Sequence, residues 1–142
     1  MTIRVLLADD HPAVRDALRT LLTGEGFEIA AEAADGRDAV RLAASVGPDV
    51  AVLDLSMPRL TGLDAARELQ GQSQAIRIIL LTRHEEPQYV TAAFGAGVHG
   101  YVLKRRAASD LVEAIRRVAA GGTYLSPELS DAALHEPPPG RG

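Results

Sequence analysis

The chain has 142 residues, of which 46% are hydrophobic and 24% are charged, values that are ordinary for one globular domain. It contains no cysteine, which excludes a disulfide framework, a zinc–thiolate site and a cysteine nucleophile. The formal net charge of −4 argues against binding of nucleic acid by this segment itself.

The sequence also argues against a membrane protein. No apolar run is long enough to span a bilayer. The N-terminus, which begins Met1-Thr2-Ile3-Arg4, lacks the basic and then apolar pattern of a secretion signal. We therefore expect a cytoplasmic protein that does not bind a membrane.

Short apolar runs alternate with stretches of helical spacing. The runs are Ile3–Ala8, Phe27–Glu32, Val50–Leu53, Ile76–Leu81 and Gly100–Leu103. Most are continuous in apolar residues rather than alternating, which indicates strands that are covered on both faces. Five β-α repeats predict an α/β fold, in which a doubly wound parallel sheet of five strands carries five helices on its two faces.

Helix start and stop signals agree with this pattern. Pro12 suits the first position of the first helix, and Asp35 can cap the second. Thr61 and Asp64 have the spacing of a capping box for the third helix. Gly121 and the glycine after it can end the fifth helix.

Polar residues follow four of the predicted strands. Asp9 and Asp10 come directly after the first strand, and Asp54, Thr82 and Lys104 end the third, fourth and fifth. Because ligands of parallel α/β sheets bind at the carboxyl ends of the strands, we expect these side chains to lie together. Crowded carboxylates repel one another, and Mg²⁺ is the cation that suits such a group.

A carboxylate at this edge can act as a nucleophile and form an aspartyl phosphate. Asp54 is the natural candidate, because it emerges from the central and most apolar strand. Lys104 would supply a fixed positive charge for phosphoryl oxygens, and the Thr82 hydroxyl would donate to another oxygen. The histidines show no metal-ligand spacing, and we expect all of them to be solvated: His11, His84, His99 and His135.

Several motifs resemble the receiver domain of two-component response regulators. The acidic pair after the first strand lies in Val5–His11, and the Met-Pro and later Gly that follow the phosphoacceptor lie in Val52–Gly62. The strand ends with Thr and Lys are Leu81-Thr82 and Gly100–Lys104. The resemblance covers about Ile3 to Gly122. The segment Gly121–Pro127 is similar to the junction of the NarL/FixJ (LuxR-type) subgroup, in which a helix-turn-helix DNA-binding domain follows.

The resemblance implies a flavodoxin-like sheet of order 2-1-3-4-5 and a switch that accepts a phosphoryl group from a sensor histidine kinase on Asp54. Asp9 and Asp10 would hold Mg²⁺ together with Asp54, and Ser56 would add its backbone carbonyl. Tyr101 would reorient when the hydroxyl at the end of the fourth strand moves toward the phosphoryl group.

Two positions depart from the family pattern. Arg83 stands where a smaller residue is usual, and its long cation could either shield the phosphoryl group or help to hold it. Arg105 follows Lys104 where many receivers have a proline in a cis peptide. A cis bond before any other residue costs roughly 3 kcal/mol, so we expect a trans peptide here, which could place Lys104 differently.

The resemblance divides the chain into a receiver domain, residues 1–122, and a linker or tail, residues 123–142. That tail would lead to a DNA-binding domain absent from this chain, through which the protein would contact DNA and control transcription. Phosphorylation could also produce a homodimer, either through the first and fifth helices or through the fourth and fifth.

Three other functions are weighed against this one. A Mg²⁺-dependent phosphohydrolase would need a carboxylate two residues after Asp54, where Ser56 stands. A flavin-binding module would need a phosphate loop rich in Ser, Thr and Gly after the first strand, but an acidic sequence occurs there. A pseudo-receiver that acts as a phosphorylation-independent interaction module is disfavoured by the complete acidic set, although Arg83 keeps it open.

Overall fold

The computed structural model describes residues 2–73 and 75–129. In this part of the chain a parallel sheet has the strand order β2-β1-β3-β4-β5-β6. The strands are β1 (Arg4–Ala8), β2 (Glu28–Ala33), β3 (Val50–Asp54), β4 (Arg77–Thr82), β5 (Gly100–Leu103) and β6 (Tyr124–Leu125). The helices are α1 (Pro12–Gly24), α2 (Gly36–Val46), α3 (Gly62–Gln72), α4 (Pro87–Gly95) and α5 (Ala107–Ala119). The predicted α/β fold and the order 2-1-3-4-5 are confirmed.

The residues predicted to start or cap helices lie at the observed helix starts. Pro12 is the first residue of α1. The Asp35 carboxylate accepts a hydrogen bond from the backbone N–H of Asp38 at 2.9 Å, and the Thr61 hydroxyl accepts one from the N–H of Asp64 at 3.1 Å. These side chains satisfy N–H groups that have no partner within the helix.

Apolar layers cover both faces of the sheet. On one face the buried side chains of Leu53 and Leu80 pack with residues of α2 and α3. On the other face Val52 and Ile79 pack with residues of α1 and α5. The central strands are therefore continuous in apolar residues because both of their faces are buried. The edge strand β2 is only partly buried, because within the described residues it pairs with β1 and with no other strand.

The sixth strand was not predicted. The N–H of Tyr124 donates to the carbonyl of His99 at 3.0 Å, and the N–H of Ser126 donates to the carbonyl of Tyr101 at 3.1 Å. The Ser126 hydroxyl in turn accepts from the N–H of Leu103 at 3.1 Å, and Leu129 is buried against the core. The sequence signal is weak because the strand has two residues. The domain boundary at residue 122 stays a prediction, and residues 130–142 of the expected tail lie outside the described residues.

None of the helices in the described part of the chain has the length and apolarity needed to cross a bilayer.

Candidate functional site

The carboxyl ends of the central strands bring four of the predicted side chains to one edge of the sheet. Asp9 follows β1, Asp54 and Thr82 are the last residues of β3 and β4, and Lys104 follows β5. The side chains of Asp9, Asp54 and Thr82 are almost completely buried. Their nearness follows from the parallel topology, since each strand points in the same direction.

Lys104 joins the two most buried carboxylates. Its ammonium nitrogen lies 3.0 Å from Oδ2 of Asp54 and 3.2 Å from Oδ2 of Asp9, and 15% of its side chain is exposed. The described residues contain no cis peptide bond, so the peptide after Lys104 is trans, as expected. The trans peptide does not prevent this lysine from reaching Asp54.

Burial raises the pKa of the Asp54 carboxyl above its ordinary value. The hydrogen bond from Lys104 opposes this rise, whereas the charge of Asp9 adds to it. A third contact, in which the N–H of Ser56 donates to Oδ1 of Asp54 at 3.2 Å, also favours the ionised carboxylate. The Asp54 carboxylate is therefore ionised at a cost in free energy, which an additional cation nearby would reduce.

Four acidic or imidazole groups are close enough to share a cation. Ligand atoms of Asp9, Asp10, His11 and Asp54 all lie within 4.8 Å of one another. Oδ2 of Asp9 and Oδ1 of Asp10 are buried without a hydrogen bond among the described residues. For Asp9 the nearby Lys104 nitrogen gives an ion pair but not a hydrogen bond. Unpartnered carboxylate oxygens beside a third carboxylate fit a hard divalent cation.

The expectation that the histidines are solvated is only partly confirmed. His11 is exposed, but its Nδ1 lies 3.0 Å from Oδ1 of Asp10, so it joins the acidic cluster. The imidazole of His99 is not simply solvated, because Nδ1 accepts a hydrogen bond from the N–H of Ile78 at 3.0 Å. Partial burial, followed by the charge of Arg77, lowers the pKa of His99. A local sequence pattern gives no sign of these contacts. His135 lies outside the described residues.

Arg15 is a site residue that the sequence analysis missed. Its Nη1 donates to the backbone carbonyl of Asp9 at 2.7 Å, and its Nε donates to Glu32 at 3.2 Å. Arg15 thus ties the peptide that carries Asp9 to strand β2. Helical spacing places Arg15 on α1, but it does not reveal which carbonyl lies in reach.

Thr82 and Tyr101 both contact the backbone of His84, in the loop between β4 and α4. The Thr82 hydroxyl accepts from the N–H of His84 at 2.9 Å, and the Tyr101 hydroxyl donates to the carbonyl of His84 at 2.8 Å. Both residues are buried, and burial raises the pKa of Tyr101. A movement of this loop would therefore act on both side chains.

Gly62 permits close packing beneath Asp54. A Cβ added to Gly62 would lie 2.4 Å from the carbonyl oxygen of Asp54 and 2.9 Å from Cα of Leu55. The N–H of Gly62 also donates to the carbonyl of Leu55 at 2.9 Å. The start of α3 is thereby anchored directly against the strand end that carries Asp54.

A small cavity of about 110 Å³ opens over Asp54. Its walls come from three strand ends and from the start of α1, and they contain the side chains of His11, Asp54, Ser56, Arg83 and Lys104. The edge of the sheet therefore offers room for a small anion beside cationic groups.

Arg105 lies outside that cavity wall and connects two segments. Its guanidinium donates to Glu85 at 3.1 Å and, through the other Nη, to Glu128 at 3.2 Å. These contacts join the loop after β4 to the segment after β6.

Comparison with known proteins agrees with the fold. The sequence pattern of the family described as "Response regulator receiver domain" matches residues 5–116. The transcriptional regulatory protein DegU of Brevibacillus brevis is 34% identical over 94% of this chain and 57% of its own length. The response regulator GacA of Pseudomonas aeruginosa is 36% identical over 90% of this chain and 60% of its own length. The chain thus spans about three-fifths of these curated relatives.

Solved structures give the same result. A LuxR-family two-component response regulator from Aurantimonas is 38% identical with a TM-score of 0.88, over 92% of this chain and 94% of that one. The signal receiver domain of a NarL regulator from Mycobacterium tuberculosis is 32% identical with a TM-score of 0.81, over 84% of this chain and 98% of its own. The isolated domain of RcsB from Salmonella enterica, solved with the phosphomimetic BeF₃⁻, is 26% identical with a TM-score of 0.84, over 92% of this chain and 98% of its own.

Proposed function

This chain belongs to the response regulator receiver domain family, and we propose that it is a phosphorylation-dependent switch in which Asp54 accepts a phosphoryl group from a sensor histidine kinase. A receiver domain is not a conventional enzyme, since its own carboxylate is the acceptor. The observation that carries the proposal is the placement of Asp54. It is a buried carboxylate at the end of the central strand, 3.0 Å from the Lys104 ammonium.

The proposed step is a phosphoryl transfer. A carboxylate oxygen of Asp54 attacks the phosphorus of a phosphohistidine, the P–N bond breaks, and the imidazole leaves with the bonding electron pair and takes up a proton. The product is an acyl phosphate on Asp54. Lys104 then faces phosphoryl oxygens instead of a carboxylate, so its positive charge stabilises the charge that has arrived.

We infer that Mg²⁺ is the cation of this site. Asp9, Asp10 and Asp54 would hold it, together with the backbone carbonyl of Ser56. The buried carboxylate oxygens without hydrogen-bond partners support this assignment. When bound, Mg²⁺ neutralises the carboxylates and orients phosphoryl oxygens. His11 stands beside the same oxygens, but its exposed imidazole is a poorer ligand for a hard cation than a carboxylate is.

Thr82 and Tyr101 are the proposed switch residues. The phosphoryl group would draw the Thr82 hydroxyl toward it and so release the N–H of His84. Tyr101, whose hydroxyl donates to the carbonyl of the same residue, would then reorient. Because both contacts meet at His84, the arrangement supports a two-state loop that the new charge biases.

The proposed output is control of transcription. The relatives named above include transcriptional regulators, and this chain covers about three-fifths of their length. We propose that a helix-turn-helix domain outside this chain contacts DNA, and that phosphorylation promotes a homodimer through α1 and α5 or through α4 and α5.

Intact mass spectrometry after incubation with acetyl phosphate and Mg²⁺ tests the proposal. The phosphoryl transfer adds about 80 Da, and acetate leaves as the P–O bond breaks. The Asp54→Asn variant and a sample with EDTA should both lack the adduct. If the wild-type protein gains no adduct under these conditions, the switch is refuted in favour of a phosphorylation-independent interaction module.

A further inference from the structure

Arg83 lies at the mouth of the cavity over Asp54. It follows Thr82, whose hydroxyl fixes the next turn through the N–H of His84. The Arg83 side chain is exposed, and it lines both the 110 Å³ cavity and a neighbouring cavity of about 430 Å³ beside α1. Arg83 therefore borders the space that a group attached to Asp54 would occupy.

Among the described residues, Arg83 also differs from the other cations near this edge in having no carboxylate partner. Lys104 is paired with Asp54, and Arg105 is paired with Glu85. Within residues 2–73 and 75–129 no ion pair involves Arg83. A solvated cation beside an anion site gives up few existing contacts when an anion arrives.

The charges of the phosphorylated site call for a further cation. A phosphoryl group carries up to about two negative charges and three acceptor oxygens. With Asp9 and Asp10 beside it, Lys104 and a divalent cation would leave about one negative charge in excess. One ammonium group also cannot meet every phosphoryl oxygen at once, whereas a guanidinium offers a planar fork of donors.

We propose that Arg83 is a second phosphoryl-binding cation, which contacts the oxygens of the phosphoryl group on Asp54 beside Lys104. This inference rests on the proposed function and adds to it a residue that determines how tightly the site holds a tetrahedral anion. In the unphosphorylated protein the guanidinium has no anion to hold and remains solvated at the rim.

Titration with BeF₃⁻ in saturating Mg²⁺, followed by ¹⁹F NMR, measures this contribution without covalent chemistry. Arg83→Gln should weaken binding by roughly three- to tenfold, the range for a charge-assisted contact that stays partly exposed. Arg83→Lys should keep part of the affinity, since it keeps the charge but loses the fork of donors. High salt should reduce the difference between wild type and Arg83→Gln, because it screens exposed charges.

Arg41→Gln is the matched control, because Arg41 is an exposed arginine of α2. It removes the same net charge and should leave the BeF₃⁻ affinity unchanged. Equal affinity of wild type and Arg83→Gln would overturn the role of Arg83 while leaving the switch intact. Failure of the wild-type protein to bind BeF₃⁻ and to form an adduct with acetyl phosphate would instead overturn the proposed function itself.

Discussion

The ammonium nitrogen of Lys104 lies 3.0 Å from Oδ2 of Asp54, although fifty residues separate them in the chain. Asp54 and Asp9 are almost fully buried, so this lysine offsets charges that are poorly hydrated. In the absence of a divalent cation, the folded protein depends on that offset.

Replacement of this lysine should show how much the buried carboxylates lower the stability of the fold when their cationic partner is absent. We expect Lys104→Met to lower the free energy of unfolding by about 1–3 kcal/mol at pH 7 in EDTA, less than for a fully buried pair because Lys104 keeps some exposure. Urea denaturation measures the change.

The pH dependence gives a second check on the same pair. The pKa of Asp54 is raised in the folded protein, so its ionisation costs stability as pH rises through that folded pKa. Loss of Lys104 should enlarge this cost, and the gap between Lys104→Met and wild type should narrow in acid. A variant as stable as wild type at pH 7 would contradict the offset by Lys104.

Gly62 provides a test of the packing beneath Asp54, the proposed phosphoacceptor. Gly62→Ala places a methyl group 2.4 Å from the Asp54 carbonyl, so we expect a loss of about 1–3 kcal/mol in unfolding free energy and a slower reaction with acetyl phosphate. Gly71→Ala is the control in the same helix, because its Cβ would meet no other part of the described chain within 4 Å beyond its neighbours and the backbone of its own helix. It should be neutral or stabilising by up to about 1 kcal/mol. Equal stabilities of the two variants would refute the close approach.

Tyr101→Phe removes one hydrogen bond and keeps the buried ring. Its loss leaves the His84 carbonyl without this donor, so the unfolding free energy should fall by about 0.5–1.5 kcal/mol, while the phosphoryl adduct should still form. Tyr89→Phe is the comparison, since Tyr89 stacks on His84 but is exposed. Its effect should stay within about 0.5 kcal/mol. A larger loss of unfolding free energy in Tyr89→Phe than in Tyr101→Phe would contradict a stabilising hydrogen bond from the Tyr101 hydroxyl.

His99 should make the fold less stable in mild acid. Its pKa is lowered from 6.5, first by burial and then by Arg77. The unfolded chain therefore takes up a proton before the folded one, and the stability present above pH 6.5 is lost as pH falls through the folded pKa. An NMR titration should give a midpoint below 6.5, and His99→Asn should flatten the pH dependence of urea denaturation between pH 7.5 and 5.5. A midpoint at or above 6.5 would count against the burial of this imidazole.

The sequence predicted the parts of the fold and site that depend on strand direction. Asp9, Asp54, Thr82 and Lys104 each stand at a strand end, and parallel pairing alone brings them to one edge. The sequence did not reveal the contact of Arg15 with the Asp9 carbonyl, the hydrogen bond between His99 and Ile78, or the ion pair between Arg105 and Glu128. These contacts depend on side-chain reach across the assembled fold.

The sixth strand escaped prediction for a different reason. Tyr124 and Leu125 form two residues of strand, which is too short for a periodic pattern. Their position is set by β5, whose edge they cover, and by Ser126, whose hydroxyl accepts from the N–H of Leu103. Tertiary pairing rather than local propensity forms this strand.

The most direct test of the account identifies the phosphorylated carboxylate. Hydride reduction of the acyl phosphate converts the aspartate to homoserine, and tryptic digestion separates peptide 42–59, which contains Asp54, from peptide 5–15, which contains Asp9 and Asp10. We predict a mass decrease of about 14 Da in peptide 42–59, at position 54, because the Asp54 carboxylate is the proposed nucleophile. The same mass change in peptide 5–15, or at Asp49 within peptide 42–59, would contradict the assignment of Asp54 as the phosphoacceptor.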